Sequence, residues 1–419
     1  MTSTITDLKA RQVWDSRGRP TIEVEIQLQG GARGRAIAPS GASTGSREAL
    51  DRRDGGERLG GFGVDGALAD LRSIVRPACL GLDARDQQGI DQRLLDLDGT
   101  PQKSRLGGNA IVAASCAVAW AAANSAGEPL WRHFRRLSGA PPDQRWIPSP
   151  MIQIFGGGRH AGGRIDIQDY LVLCPGAASF AEAVEWTAEI YMAAASILAH
   201  KGHHGVADEG GIWPDFTRNE DGLAYLLQAI ELAGFKPLAQ VGIALDIAAT
   251  SFWHEGRYRL ALEGRLLDTA GMIDMLAGWC GSFPILSIED PLDENDCDGF
   301  VEFTRRMGSR IQIVGDDYLT TNAASIMAAG QARACNAVLL KANQCGTITE
   351  LIAAVKAAEH FGMTMIQSGR SGESEDVTLS HLAVGLRSHQ IKVGSMTRSE
   401  RTAKWNEVIR IEEENLHQS

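Results

Sequence analysis

The chain has 419 residues, 44% hydrophobic and 22% charged, and its 41 basic and 52 acidic side chains leave a net charge of −11. This suits a soluble protein with a large core and two domains, and it argues against a nucleic-acid partner or an anionic membrane surface. No apolar run approaches a membrane span, no signal-peptide core opens the chain, and seven scattered cysteines form no CxxC pair; a reducing cytoplasm with buried thiols and no membrane partner is expected.

In chain order, Thr21 to Leu28 alternates strictly, with Ile22, Val24, Ile26 and Leu28 on one face, the pattern of a half-buried strand. Gly30 and Gly31 turn the chain, and Ala32 to Ala38 returns as its partner. Pro39-Ser-Gly-Ala-Ser-Thr-Gly45 reads as a flexible loop, either a plain linker or one whose three hydroxyls meet an anion or a metal ion. Val64 to Leu137 is helical in pattern, and Gly108 to Ala126 is apolar nearly all round, so a buried helix is expected. Strands first and helices after make residues 1–140 a small α+β domain. Pro141, Pro142 and the polar residues after them mark the boundary to a second domain, 141–419.

In that second part, strands and helices alternate to the end. Val241 to Leu245 ends in Asp246, Phe283 to Ile288 in Glu289, and Ile311 to Val314, after Gly315, in Asp316 and Asp317. Ala337 to Leu340 ends in Lys341, Thr364 to Ile366 leads to Ser368-Gly-Arg-Ser-Gly372, and Gln390-Ile391 ends in Lys392. The segment Thr347 to His360 pairs Thr347 with Glu350 as a capping box and carries an apolar stripe. Six strand-then-helix units without a glycine-rich dinucleotide turn predict a parallel (β/α) barrel, whose strand ends converge on one mouth. Three carboxylates there repel one another without a cation, which points to a hard divalent ion, magnesium first. Two lysines and an arginine beside them suit a phosphorylated or carboxylated substrate. His203-His204 reads as a polar loop, since it lacks metal-ligand spacing, and Trp131 and Trp279 read as core.

A set of motifs then stands out in collinear order: Asp15-Ser-Arg-Gly18, the loop Pro39 to Gly45, Gly157-Gly-Arg-His160, Asp208-Glu-Gly-Gly211, Ser287-Ile-Glu-Asp-Pro291, Gly315-Asp-Asp317, Arg370-Ser-Gly-Glu373, Ile391-Lys-Val-Gly394 and Arg410-Ile-Glu-Glu-Glu414. Together they resemble the enolase (phosphopyruvate hydratase) family over nearly the whole chain. The resemblance implies an α+β domain capping a modified (β/α)8 barrel and a homodimer, or an octamer built from it. It also implies magnesium-dependent dehydration of 2-phosphoglycerate, a phosphorylated three-carbon carboxylate, to phosphoenolpyruvate in glycolysis. By motif position, Asp246, Glu289 and Asp316 would hold one magnesium ion and Ser43 of the loop would reach a second. Lys341 would remove the α-proton, Glu209 would assist departure of hydroxide, Asp169 would join the catalytic acids, and His160 would lie near the phosphate. Lys392 would bind the substrate carboxylate and Arg370 with Ser371 the phosphate, with Gln168 and Gly369 lining the substrate. A lysine acts as a base only if its pKa falls, and Lys392 and magnesium are expected to push that of Lys341 down.

The departures from the family pattern gather at the chemistry. Gly369 stands where the family has histidine, Asp169 where it has glutamate, Ala207 for glycine, Gly156 for asparagine, Thr250-Ser251 for Ser-Glu, and Ala342 for an aromatic. Loss of the imidazole at Gly369 is expected to leave space. Besides an ordinary family member, two other readings therefore stand: a paralogue of phosphonate antibiotic biosynthesis, such as carboxyphosphonoenolpyruvate synthase, and a non-catalytic, surface-binding relative.

Overall fold

The computed structural model describes residues 2–42, 44–141, 144–199 and 205–416; Ser43, Pro142 and His203-His204 lie outside them. The alternating segment forms a strand, but as the middle one of three: β1 (Ile5–Trp14), β2 (Pro20–Leu28) and β3 (Arg33–Ile37), both pairings antiparallel. β1 escapes a period-2 reading because its register shifts between Ile5 and Asp7, so that buried Ile5 and Leu8 lie three residues apart. The helix Gly108–Ala126 packs on this sheet so closely that a Cβ on Gly34 would lie 2.1 Å from Ala121 N and 2.3 Å from Ala117 O; glycine is required there for space. By length and composition that helix could cross a membrane, contrary to the expectation from the sequence, yet 78% of its apolar window is buried inside the protein. It is the core helix of the first domain. Trp131 and Trp279 are buried, as are six of the cysteines, whereas Cys297 is exposed against the expectation of buried thiols.

The barrel starts with β4 (Ser149–Gly156), β5 (Asp169–Leu173) and β6 (Gly242–Asp246). A small outer sheet of β7 (Trp253–His254), β8 (Arg257–Leu260) and β9 (Arg265–Leu267) follows. Then come β10 (Ile285–Glu289), β11 (Gln312–Gly315), β12 (Ala337–Leu340), β13 (Thr364–Ser368) and β14 (Gln390–Ser395). The ring closes in the order β10-β11-β12-β13-β14-β4-β5-β6. It is not all parallel: β5 runs antiparallel to both β4 and β6. A parallel neighbour needs a long crossover, usually a helix. Between β4 and β5 the chain makes only a 3₁₀ turn, Gly158–Ala161, and returns as a hairpin. Two helices, Phe180–Ala199 and Asn219–Leu232, then carry it back to β6. The reversal matters for the site, because it puts the first residue of β5, Asp169, at the mouth where the other strands end.

The helix after β12 is capped as its sequence suggests, with Thr347 Oγ1 accepting from Glu350 N at 3.1 Å, worth about 1 kcal/mol. The box itself is not closed. The Glu350 carboxylate meets the Thr347 hydroxyl and Lys103 Nζ of the first domain (2.9 and 2.7 Å) instead of the cap backbone.

Candidate active site

Every acid and base expected at the strand ends, where described, lies at one end of the barrel. Asp246 and Glu289 are the last residues of β6 and β10 and face each other in register. Asp316 and Lys341 directly follow β11 and β12. Arg370 and Ser371 follow β13. Lys392 differs from expectation in lying inside β14, which continues to Ser395. Its neighbours Ile391 and Val393 pack outward against Trp405 and Phe180, so strand alternation turns Lys392 into the barrel. A small cavity of about 30 Å³ is lined by His160, Gln168, Asp169, Glu209, Asp246, Lys341, Gly369, Arg370, Ser371 and Lys392, with Ser368 and Val393. All the expected site residues are thus there except Glu289 and Asp316, which lie just behind it, and Ser43, which is outside the described residues. The loop next to Ser43 is docked on the barrel: Ala42 N donates to Ser371 Oγ at 2.8 Å.

Ammonium groups interleave the carboxylates. Lys392 Nζ lies 2.8 Å from both Asp246 Oδ2 and Glu289 Oε2, and 3.6 Å from Asp169 Oδ2. Lys341 Nζ lies 2.5 Å from Asp316 Oδ2. Burial opposes charge on Lys392, but Asp246 and Glu289 outweigh it and hold the ammonium well above its usual range. Lys341 behaves likewise: burial pulls its pKa down, Asp316 pushes it up, and the net shift is upward. The expected fall is therefore absent here, because the nearest charge to Lys341 is a carboxylate and not a cation. His160 Nδ1 donates to Asp208 Oδ1 at 2.8 Å, while its Nε2 lies 3.9 Å from Glu209 and 4.0 Å from Asp169. Burial disfavours the imidazolium, yet Glu209 and Asp169 lift it to about 10. Asp169 is pushed up to about 6 by burial, against the pull of His160 and Lys392.

The donor set fits a hard cation. Among the described residues, Glu289 Oε1 is buried with no hydrogen-bond partner, and burial together with the Asp246 charge pushes the Glu289 carboxyl well above its usual value. An orphaned carboxylate oxygen between two further carboxylates is what a divalent ion relieves. Asp246, Glu289 and Asp316 do not form a single tight cluster here. Among the described residues, the ligand atoms within 4.8 Å of one another are those of Asp290, Asp316 and Asp317, and those of His160, Asp169 and Glu209. Lys392 bridges Asp246 and Glu289, while Asp316 pairs with Lys341 instead. Asp290 lies in the Ser287 to Pro291 motif but has no role of its own in the reading of the sequence. Its carboxylate accepts from the backbone N–H of Asp316 (2.9 Å) and Asp317 (2.8 Å), and its φ is +40°, a strain of about 1–3 kcal/mol in a residue other than glycine. Glu48, Gln344 and Gln153 were also missed, since each acts through contacts distant in sequence and no local pattern marks them.

The departures from the family pattern have local explanations. A Cβ on Gly156 would lie 2.8 Å from the Ala207 methyl, so these two positions share one packing space. Gly156→Asn is accordingly expected to cost about 1–3 kcal/mol, and much less when combined with Ala207→Gly. Urea unfolding of the two single variants and the double variant reads this coupling, and additive costs would mean that the sites are independent. Asp169, one methylene short, receives the Gln153 Nε2 donor. The space expected at Gly369 is largely filled: a Cβ there would lie 3.1 Å from Glu373 Oε1 and 3.3 Å from Leu379 Cδ2. Glu373 Oε1 lies against Gly369 and accepts from Arg370 N at 3.0 Å. Behind it a cavity of about 50 Å³, lined by Ala342, Ser368 and Leu379 among others, has room for a water or two.

Two family models cover this architecture: "Enolase, N-terminal domain" matches residues 5–134 and "Enolase, C-terminal TIM barrel domain" matches residues 144–419. The protein called Enolase 1 of Desulfitobacterium hafniense (strain Y51) is 48% identical over 413 residues, which is 98% of this chain and 93% of the relative.

Proposed function

The chain belongs to the enolase family of lyases, and on that premise we propose that it is a magnesium-dependent enzyme that dehydrates 2-phosphoglycerate to phosphoenolpyruvate. The observation that carries this reading is the convergence of Lys341 and Lys392 with Asp246, Asp169 and Glu209 on one cavity at the strand ends. The α-proton of the substrate is weakly acidic because its removal adds a second negative charge beside a carboxylate. Asp246, Glu289 and Asp316 would hold a divalent cation and Ser43 would reach a second one; such cations would supply positive charge to that carboxylate and offset the acids that hold Lys341 protonated. Lys392 binds the same carboxylate. Lys341 as the neutral amine takes the proton from C2, and the C3 hydroxyl leaves as water with a proton from Glu209. His160 and Asp169, which share charge with Glu209, keep that end of the site supplied with protons. Arg370 and Ser371 receive the phosphate.

The test is solvent exchange. In D₂O with magnesium, the protein is expected to exchange the C2 proton of 2-phosphoglycerate and to accumulate phosphoenolpyruvate, both read by NMR, and to do neither after chelation. Absence of exchange in the presence of magnesium would sink the reading. Exchange without phosphoenolpyruvate would favour the second reading, a paralogue with altered phosphate-end chemistry, which draws on Gly369 carrying no imidazole and on Glu373 packing against it. The assembly we propose is a homodimer, checked by sedimentation equilibrium.

A further inference from the structure

The short helix Ala342–Cys345 that follows the proposed base places Gln344 between the two domains, 2% exposed. Its Nε2 donates to Asp316 Oδ1 at 2.8 Å and to Glu48 Oε1 at 3.2 Å. Its Oε1 lies 2.5 Å from Thr321 Oγ1, which in turn accepts from Lys341 N at 2.9 Å. The orientation of the amide is not ambiguous: one end faces two carboxylates and must be the donor end. Its backbone oxygen accepts from Ala49 N at 2.8 Å.

Glu48, 3% exposed on its side chain, closes the other side of this chain of contacts. It accepts from Gly45 N at 2.9 Å, two residues beyond Ser43, and from Arg370 Nη1 at 2.8 Å. One carboxylate of the N-terminal domain therefore touches the docked loop, the proposed phosphate ligand and, through Gln344, the proposed metal ligand.

We propose that Gln344 is a positioning residue for Asp316 and that Glu48 makes this positioning depend on docking of the loop that carries Ser43. By engaging Oδ1, the Gln344 amide leaves Oδ2 to face Lys341 and the cation. By engaging Gln344, Glu48 ties the rotamer of that amide to the loop. Loop docking and cation affinity then become one coupled equilibrium: whatever holds the loop down tightens the metal site, and a bound cation holds the loop down by the same free energy. The inference rests on the reading of Asp316 as a metal ligand and goes beyond it.

Direct titration of the full-length protein with Mn²⁺, followed by electron paramagnetic resonance, tests both parts without using activity. Gln344→Met keeps the volume and removes the donor; its dissociation constant for Mn²⁺ is expected to rise about 10-fold or more, the usual effect of losing a partner of a ligand. Glu48→Gln is expected to weaken binding by a smaller factor, and the double variant to bind no worse than Gln344→Met alone, because the two act in series. Thr321→Val, which removes the hydroxyl that orients the amide, is the second variant should Gln344→Met not fold. It is expected to weaken binding in the same direction. Parent-like Mn²⁺ affinity in a folded Gln344→Met or Thr321→Val protein overturns the inference while leaving the metal reading intact. Asp316→Asn is the control for that reading: if it binds Mn²⁺ as the parent does, Asp316 is no ligand and both ideas fall together.

Discussion

Lys341→Ala is expected to slow exchange of the 2-phosphoglycerate α-proton about 10²–10⁴-fold, the usual contribution of a positioned general base. Lys341 directly follows β12, its side chain is about one-tenth exposed, and its Nζ is held by Asp316 at 2.5 Å. That pairing fixes where the amine is, but it also keeps a proton on it, since Asp316 raises the ammonium pKa. The parent rate should therefore climb with pH as the ammonium gives up its proton, and this climb should be missing in the variant. Binding should survive better than chemistry, because Lys392, Arg370 and Ser371 remain in place. NMR exchange rates across a pH series, with substrate affinity measured separately, read both effects. An alanine variant that exchanges as fast as the parent, with the same pH dependence, would remove Lys341 from the mechanism.

Lys392→Ala has the largest expected effect on stability, about 3–5 kcal/mol in protein stripped of metal. The ammonium is buried and contacts three carboxylates, those of Asp246, Glu289 and Asp169. Removing it leaves those acids facing one another with no compensating charge. Their remaining relief is protonation, so the sign of the pH dependence follows. Glu289 already has its folded pKa raised above the unfolded value by burial and by Asp246. A carboxylate raised in this way binds protons better when folded, and the stability it contributes is present at low pH and lost as pH rises through the folded value. The penalty in Lys392→Ala should accordingly shrink on acidification. A divalent cation at a hundred times its dissociation constant should return about 2.7 kcal/mol by linkage. Urea midpoints in chelator and in magnesium, at neutral and acid pH, check all three statements. An unchanged midpoint in chelator would mean that Lys392 is not the counter-charge of the acids.

These two lysines also show how far residues alone could be followed. Apolar runs that stop in Asp246, Glu289, Asp316 and Lys341 are visible in one dimension because a buried strand is a local pattern and its end is marked by the first charged residue. The barrel, and the expectation of a metal-binding rim and an anionic substrate, follow from repetition of that pattern. Asp169 could not be found in this way. It begins a strand, and only the reversal of β5 brings a strand start to the same mouth.

The sequence by itself thus determined the family, the barrel architecture and the chemical types at the strand ends, because strand length, alternation and collinear motifs are properties of neighbouring residues. Tertiary structure alone decided the electrostatics and the coupling. It set Lys341 beside Asp316, so that its pKa rises instead of falling. It packed Glu373 against Gly369, and it joined Gly156 to Ala207 across two segments. It also linked Glu48 to Asp316 through Gln344. Charges and side-chain volumes act through distances of a few ångströms, and between residues far apart in the chain those distances exist only once the barrel has closed.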